Sequence, residues 1–142
     1  MVQVIQGGIA KDQRGQIRFV NDFDMENVKR FYLIQNKDLN LIRGWRAHKI
    51  EQRWFYVLSG RFNLAVVQID DWSCPSKHLL INEIIMDSEE NKLIHIPAGY
   101  GTAIRALDVD NELLVFADYD LDHSQYDDYT YNLDYFVNYN SK

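Results

Sequence analysis

The most informative part of this chain is an eleven-residue stretch, Arg43-Gly44-Trp45-Arg46-Ala47-His48-Lys49-Ile50-Glu51-Gln52-Arg53. It contains four of the fifteen Lys and Arg residues of a chain whose formal net charge is −6. As an extended strand it points Arg46 and His48 to one face, because strand side chains alternate. Gly44 predicts a β-bulge that turns Arg43 toward the same side. The stretch is therefore a candidate anion site, although a solvated, charged strand edge explains the same composition.

Short candidate strands separated by turn residues surround this stretch. Hydrophobic and aromatic runs predict strands at 16–20, 30–35, 54–58, 62–66, 82–86, 93–96, 103–107 and 112–119. The alternation at 62–66 is loose, because Ala65 and Val67 are apolar as well. Many short strands at roughly ten-residue spacing are typical of an all-β sandwich or barrel.

Composition restricts the class of protein. A chain of 142 residues fits one domain, which we predict to span 1–142. The negative net charge disfavours nucleic acid as a partner. The single cysteine, Cys74, excludes an internal disulfide framework. No apolar run has the length of a signal peptide or a membrane span, so we expect a cytoplasmic protein without membrane contact.

The C-terminal stretch 126–139 differs in composition from the rest of the chain. Tyr, Asp and Asn dominate it. It predicts either a short helix or an aromatic arm that packs on the barrel or on a second subunit.

Four motifs occur in an order that resembles a known family. They are Asp12-x-Arg14-Gly15, then Arg43 to Lys49 within the stretch above, then Val57-Leu58-Ser59-Gly60, and finally Ile96-Pro97-Ala98-Gly99. Over roughly residues 4–136 the chain resembles the RmlC-like cupins, which include dTDP-4-dehydrorhamnose 3,5-epimerases and the WxcM-like dTDP-sugar 3,4-ketoisomerases. The resemblance implies a cupin double-stranded β-helix, or jelly-roll barrel, that binds a dTDP-linked hexulose in its mouth. It also implies proton transfer next to a ketone without a cofactor.

The resemblance assigns roles residue by residue. Arg43 matches the arginine of the family's Arg-Gly motif, which contacts the ligand. His48 matches the second histidine of the ketoisomerases' His-Ala-His-Lys motif and is the candidate catalytic base, with a pKa range suited to that task. Arg46 replaces the first histidine, and Arg53 falls near the epimerases' active-site lysine. Both arginines are candidate ligands for a diphosphate or an enediolate oxygen.

Gln52 and His95 complete the predicted substrate-binding set. His95 lies between Ile94 and Ile96 on a candidate strand. Facing the pocket, it would replace a histidine that the family usually carries; a structural role is the alternative.

Three positions depart from the family pattern. Arg46 stands at the epimerases' base, Thr102 at the usual later histidine, and Leu114 at the epimerases' acidic tyrosine. A 3,5-epimerase mechanism in its usual form is therefore disfavoured. Two functions remain: a ketoisomerase-like enzyme of surface-polysaccharide sugar synthesis, which we favour, and a non-catalytic cupin that binds a nucleotide sugar or saccharide.

Two further expectations concern metals and oligomers. His48 and Glu51 are too few for a transition-metal site, and a neighbouring arginine repels a cation, so we predict no metal. The resemblance implies a homodimer, in which exchange of the strand-like segment 1–5 between protomers would cover an open sheet edge.

Overall fold

The computed structural model describes residues 1–140 and shows two five-stranded antiparallel sheets that pack face to face. Within these residues the chain forms twelve strands: β1 Gln3–Gln6, β2 Gly8–Asp12, β3 Gly15–Phe19, β4 Arg30–Ile34, β5 Ile42–His48, β6 Arg53–Ser59, β7 Arg61–Gln68, β8 Ile81–Asp87, β9 Lys92–Ile96, β10 Tyr100–Ala106, β11 Glu112–Ala117 and β12 Tyr129–Thr130. One short helix, α1, spans Leu121–Ser124. The predicted all-β jelly-roll is confirmed. The single domain 1–142 stays a prediction, and its last two residues lie outside the described part.

The order of the strands defines two sheets. Sheet I has the order β1-β9-β6-β11-β4, and sheet II has the order β12-β5-β10-β7-β8. Strands β2 and β3 form a separate hairpin. The stretch from Arg43 to Arg53 therefore connects the two sheets: it contains most of β5 in sheet II and ends at the first residue of β6 in sheet I. No helix within the described residues is long and apolar enough to cross a membrane.

A hydrophobic core fills the space between the two sheets. It consists of inward-facing side chains that recur at every second position, as strand geometry requires. They are Phe55, Val57, Phe62, Leu64, Val66, Met86, Ile94, Ile96, Ile104, Ala106, Leu113 and Val115.

A second cluster covers the outer face of sheet II. Here Trp45, Ala65 and Val67 pack with Phe136 of the segment after β12. The ring of Trp45 meets the Phe136 ring edge-on, with centroids 5.2 Å apart. The 126–139 stretch is thus an aromatic arm on the chain's own barrel, and only α1, just before it, is helical. The same packing explains the loose alternation of β7, because both faces of that strand are buried.

The N-terminal strand lies at an edge of sheet I. Its residues Gln3 to Gln6 pair with His95 to Lys92 of β9 in the same chain. The exchange of this segment between protomers is therefore not needed to pair β9. The other edge of sheet I is β4, whose outward side chains Phe31 and Leu33 are exposed.

The aromatic arm predicts a large and local effect on stability. Phe136→Ala removes a fully buried ring that bridges the arm and sheet II, and should lower the free energy of unfolding by about 3 to 5 kcal/mol. Val137→Ala, at a neighbouring side chain that is 55% exposed, should change it by less than about 0.5 kcal/mol. Urea denaturation of both variants measures the difference; equal effects would contradict a packed arm.

Candidate active site

A β-bulge in β5 brings two arginines to one face of the strand. Arg46 lies opposite Thr102 of β10, but Arg43 lies opposite Ile104, so the ladder shifts register between them. In a regular strand, side chains three positions apart point to opposite faces. The shift puts both Arg43 and Arg46 on the inner face, which confirms the bulge predicted from Gly44.

Glycine is required at position 44 because the neighbouring strand comes very close. A Cβ atom there would lie 2.7 Å from both Cα and Cβ of Ala103. Any larger residue would push β5 away from β10 and change the direction of Arg43.

The inner ends of four strands and the arm enclose a cavity of about 440 Å³. Its lining combines three guanidinium groups with hydroxyl-bearing and apolar side chains. The residues are Tyr32, Ile34, Arg43, Gly44, Trp45, Arg46, Arg53, Phe55, Thr102, Ile104 and Thr130. The predicted anion-binding arginines therefore do share one concave surface.

Two of the three guanidinium groups are held by partners at the wall. Arg43 Nε donates to Asn36 Oδ1 at 2.6 Å and Arg43 Nη2 to the Gln35 carbonyl at 3.3 Å. Arg46 Nε is 3.1 Å from Asp128 Oδ1 in a largely exposed ion pair. Such an exposed pair contributes little to stability, so Arg46 is free to exchange Asp128 for another anion.

Arg53 is the deepest of the three. It is only 4% exposed, and its Nη1 donates to Thr102 Oγ1 at 3.2 Å. Its Nη2 is buried and has no hydrogen-bond partner among residues 1–140. Its guanidinium carbon lies 5.3 Å from the centre of the Phe55 ring. Burial lowers the pKa of Arg53 from its usual value.

His48 is on the same face of β5 as Arg46, yet it does not line the cavity. This corrects the expectation that the imidazole and the guanidinium groups share one cavity wall. His48 is opposite Tyr100, one inward position further along the strand, and is 6% exposed. Arg53 and Thr102 line the cavity and are hydrogen-bonded to each other.

The imidazole of His48 has a neighbour at each nitrogen. Nδ1 lies 2.6 Å from the backbone oxygen of Asp127, and Nε2 lies 3.6 Å from Glu51 Oε2. Burial, followed by the nearby positive charge of Arg53, lowers the pKa of His48 to about 4. Burial also raises the pKa of Glu51, and an ion pair with Arg30 at 2.8 Å opposes that rise.

The family described as WxcM-like, C-terminal (FdtA) matches residues 2–141. The chain belongs to this family. A search of curated proteins finds no match.

Solved structures of RmlC-like proteins have the same fold. A variant of the 3,4-ketoisomerase QdtA from Thermoanaerobacterium thermosaccharolyticum, in complex with TDP-4-keto-6-deoxyglucose, has a TM-score of 0.71 at 20% identity; 96% of this chain and 91% of that chain are covered. The 3'-monoepimerase ChmJ from Streptomyces bikiniensis with dTDP-quinovose has a TM-score of 0.72 at 18% identity, over 92% and 69% of the two chains. The dTDP-4-dehydrorhamnose 3,5-epimerase from Bacillus anthracis has a TM-score of 0.74 at 13% identity, over 96% and 82%.

Two residues predicted to bind substrate lie elsewhere in this WxcM-like chain. His95 pairs with Trp54 across β9 and β6, and their rings stack at 4.9 Å. The next pair, Phe55 and Ile94, points into the core, so Trp54 and His95 point outward. Gln52 Oε1 lies 2.7 Å from His95 Nε2. Both Gln52 and His95 therefore belong to the outer face of sheet I, and the alternative structural role for His95 fits this placement.

Two of the residues that depart from the family pattern, Thr102 and Leu114, also lie in different places. Thr102 lines the cavity and holds Arg53. Leu114 faces outward, in a shallow groove with Phe116 and Phe23. The residue at position 114 therefore cannot reach a ligand in the cavity, whatever its chemistry.

The sequence interpretation missed three residues of the site: Tyr32, Thr130 and Asp127. Tyr32 lies at an inward position of β4, and the alternation of that strand could have indicated it. Thr130 and Asp127 come from the arm, about eighty residues after β5. No local pattern in the sequence links that segment to the site.

The low pKa of His48 makes a prediction about stability and pH. The pKa is about 4 in the folded protein against 6.5 in the unfolded chain, so the unfolded chain takes up the proton first as pH falls. Stability is therefore unaffected above pH 6.5 and decreases between pH 6.5 and 4, by up to about 3 kcal/mol. His48→Gln should have a flatter unfolding free energy over this range, whereas His78→Gln, at an exposed position, should follow the parent. Urea denaturation across the range tests this; parallel curves for all three proteins would contradict a neutral, buried His48.

Proposed function

We propose that this protein binds a dTDP-linked 4-keto-6-deoxyhexose in the cavity and isomerises it by proton transfer next to the ketone. In cellular terms this is a cytoplasmic enzyme that supplies a sugar for surface polysaccharide. The observation that carries the proposal is the convergence of Arg43, Arg46 and Arg53 on one cavity of about 440 Å³. The fold and family are those of proteins crystallised with such ligands.

The charges of the cavity support an anionic ligand. Within the described residues, only Arg46 among the three arginines forms an ion pair, and that pair is exposed. Arg43 and Arg53 donate to neutral oxygens only. A buried guanidinium with an unused N–H is costly unless an anion completes it. The diphosphate at the mouth and an enediolate oxygen beside Arg53 are anions of the required kind.

The chemistry follows from this arrangement. A base removes the hydrogen from C3 of the sugar, and the electron pair of the C–H bond forms an enediolate across C3 and C4. Arg53 stabilises the oxyanion, because it donates from a water-poor wall where electrostatic interactions are strong. The hydroxyl proton on O3 moves to O4, and a proton returned to C4 leaves the carbonyl at C3, which completes the isomerisation without any net oxidation. His48 is the proposed base because its neutral imidazole is available at neutral pH.

A second candidate function is a cupin that binds a nucleotide sugar without converting it. The position of His48 favours it, since the imidazole lies beside the cavity and both of its nitrogens have neighbours. The absence of a metal ligand set fits both candidates: residues 1–140 contain no cluster of three or more His, Cys, Asp or Glu suited to a metal ion.

Calorimetric titration with dTDP tests the binding half of the proposal. Arg53→Met keeps most of the side-chain volume and removes the charge, and should weaken binding about 10- to 100-fold, the value of hydrogen bonds to a charged group. Arg61→Met removes an exposed arginine paired with Asp108, and should bind like the parent. Equal affinity of the parent and Arg53→Met would contradict the assignment of the cavity.

Deuterium exchange from heavy water into dTDP-4-keto-6-deoxyglucose separates the two candidates. The parent should place deuterium at the carbons next to the ketone and form the 3-keto isomer. His48→Asn should be slowed by at least about 100-fold, the usual contribution of a positioned base, while His78→Asn should be unaffected. Tight binding of the sugar without exchange would select the non-catalytic module.

We also propose that the protein is a homodimer through the outer face of sheet I. The aromatic arm covers sheet II, but sheet I leaves Phe31 66% exposed on an unpaired edge strand, next to Leu33. The hairpin β2–β3 carries a further exposed apolar side chain, Ile17, and Arg18 joins the hairpin to the Ser88 and Leu58 carbonyls. An exposed apolar edge of this kind is a self-association surface.

Light scattering after gel filtration tests the dimer. The parent should elute at twice the mass of the chain, and Phe31→Glu should shift it to the monomer, because a charge cannot be buried unpaired in an apolar interface. Leu80→Glu, at an exposed residue just before β8 of sheet II, should remain dimeric. A parent that is monomeric at all concentrations would contradict the proposal.

A further inference from the structure

The hydrogen bond at His48 Nδ1 fixes the tautomer of the ring. The partner of Nδ1 is a backbone carbonyl oxygen at 2.6 Å, which can only accept. Nδ1 therefore carries the hydrogen, and in the neutral ring the lone pair is on Nε2. The basic nitrogen of His48 is thus chosen by a contact made on the other side of the imidazole.

Asp127 makes that contact and also holds the backbone that follows His48. Its carboxylate accepts from the N–H groups of Lys49 at 2.8 Å, of Ile50 at 3.0 and 3.1 Å, and of Glu51 at 2.7 Å. The residue is buried. One residue of the arm therefore fixes both the ring of His48 and the turn between β5 and β6.

Glu51 lies on the other side of the ring. It is 2% exposed, and its Oε1 accepts from Arg30 Nη2 at 2.8 Å. Its Oε2 has no hydrogen-bond partner within residues 1–140 and lies 3.6 Å from His48 Nε2. That distance is too long for a hydrogen bond, so Glu51 does not occupy the Nε2 lone pair, and it is short enough for strong charge attraction when the ring takes up a proton.

We propose that Asp127 and Glu51 are positioning residues for His48, the first selecting Nε2 as the basic nitrogen and the second stabilising the imidazolium that forms there. The inference rests on the proposed isomerisation and names residues that act through the base. The hydrogen of sugar C3 moves to Nε2, the ring becomes positive beside the carboxylate of Glu51, and the proton leaves again to C4. Glu51 gains and loses no proton over the cycle.

Other charged groups act on the same ring and set limits on this role. Arg53 opposes a positive imidazole, whereas Asp127 and Asp128 favour it. Burial raises the pKa of Glu51, and Arg30, paired with Oε1, orients the carboxyl group and opposes that rise. The carboxylate of Glu51 therefore offsets the positive field of the arginines at the moment when the ring takes up its proton.

Two measurements on the intact protein test the inference. Long-range nitrogen–proton NMR of the histidine rings should show His48 of the parent as the Nδ1–H tautomer at neutral pH; an Nε2–H ring, or a mixture of tautomers, overturns the role of Asp127.

Glu51→Gln keeps the shape of the side chain and should slow deuterium exchange into the ketosugar at least about tenfold, with dTDP affinity changed less than about twofold. Glu89→Gln, at an exposed carboxylate, is the matched control.

The outcomes distinguish this inference from the proposed function. A parent that binds the ketosugar without exchange overturns the isomerisation, while the tautomer of its His48 still decides the role of Asp127. A parent that exchanges, with Glu51→Gln exchanging at the same rate, overturns the role of Glu51 alone. If Glu51→Gln loses dTDP affinity and stability together, the carboxylate is structural and the inference fails.

Discussion

A buried guanidinium is the constraint on which the inner half of this barrel depends. Arg53 enters sheet I at the start of β6 and points into the space between two apolar sheets. Taking an ion of this size out of water costs several kcal/mol unless good partners surround it. Thr102 supplies one oxygen, and the carboxylate of Glu51 supplies an opposite charge nearby. The Nη2 group of Arg53 is buried and has no hydrogen-bond partner within residues 1–140, and an anionic ligand is the proposed partner that would complete it.

Strand β5 connects this charged interior to the aromatic exterior. Its inward positions carry Arg46 and His48, and its outward positions carry Trp45 and Ala47, which pack beneath the arm. The arm is paired to the strand by two backbone hydrogen bonds between Trp45 and Tyr131, at 3.0 and 3.1 Å. Stability on one face and the site on the other are therefore linked through the same seven residues. Asp127 and Thr130 extend that link, since both belong to the arm, Asp127 contacts His48 and Thr130 lines the cavity.

The sequence predicts much of this fold because its signals are local. The strand patterns, the bulge at Gly44 and the shared face of Arg46 and His48 all follow from alternation and glycine chemistry. Residues whose position depends on a partner strand were harder to place. His95 lies between two core residues, which made an inward position plausible, but the register with Trp54 turns it outward. The setting of His48 depends on the contact of its Nδ1 with the Asp127 backbone oxygen, 79 residues further along the chain, which no local pattern reports.

The sequence resemblance and the structure agree that Arg43, Arg46 and Arg53 share one cavity, but they place His48 differently. The sequence resemblance implies that His48 matches a histidine of the ketoisomerases, whereas in the structure His48 is not among the residues that line the cavity. We have proposed that an anionic sugar nucleotide supplies the missing partner of Arg53. A crystal structure with bound dTDP-4-keto-6-deoxyglucose tests it directly. We predict a ligand oxygen within about 3.2 Å of the Arg53 guanidinium and the diphosphate against Arg43 or Arg46. A ligand on the outer face of sheet I, beside Trp54 and His95, would contradict the account.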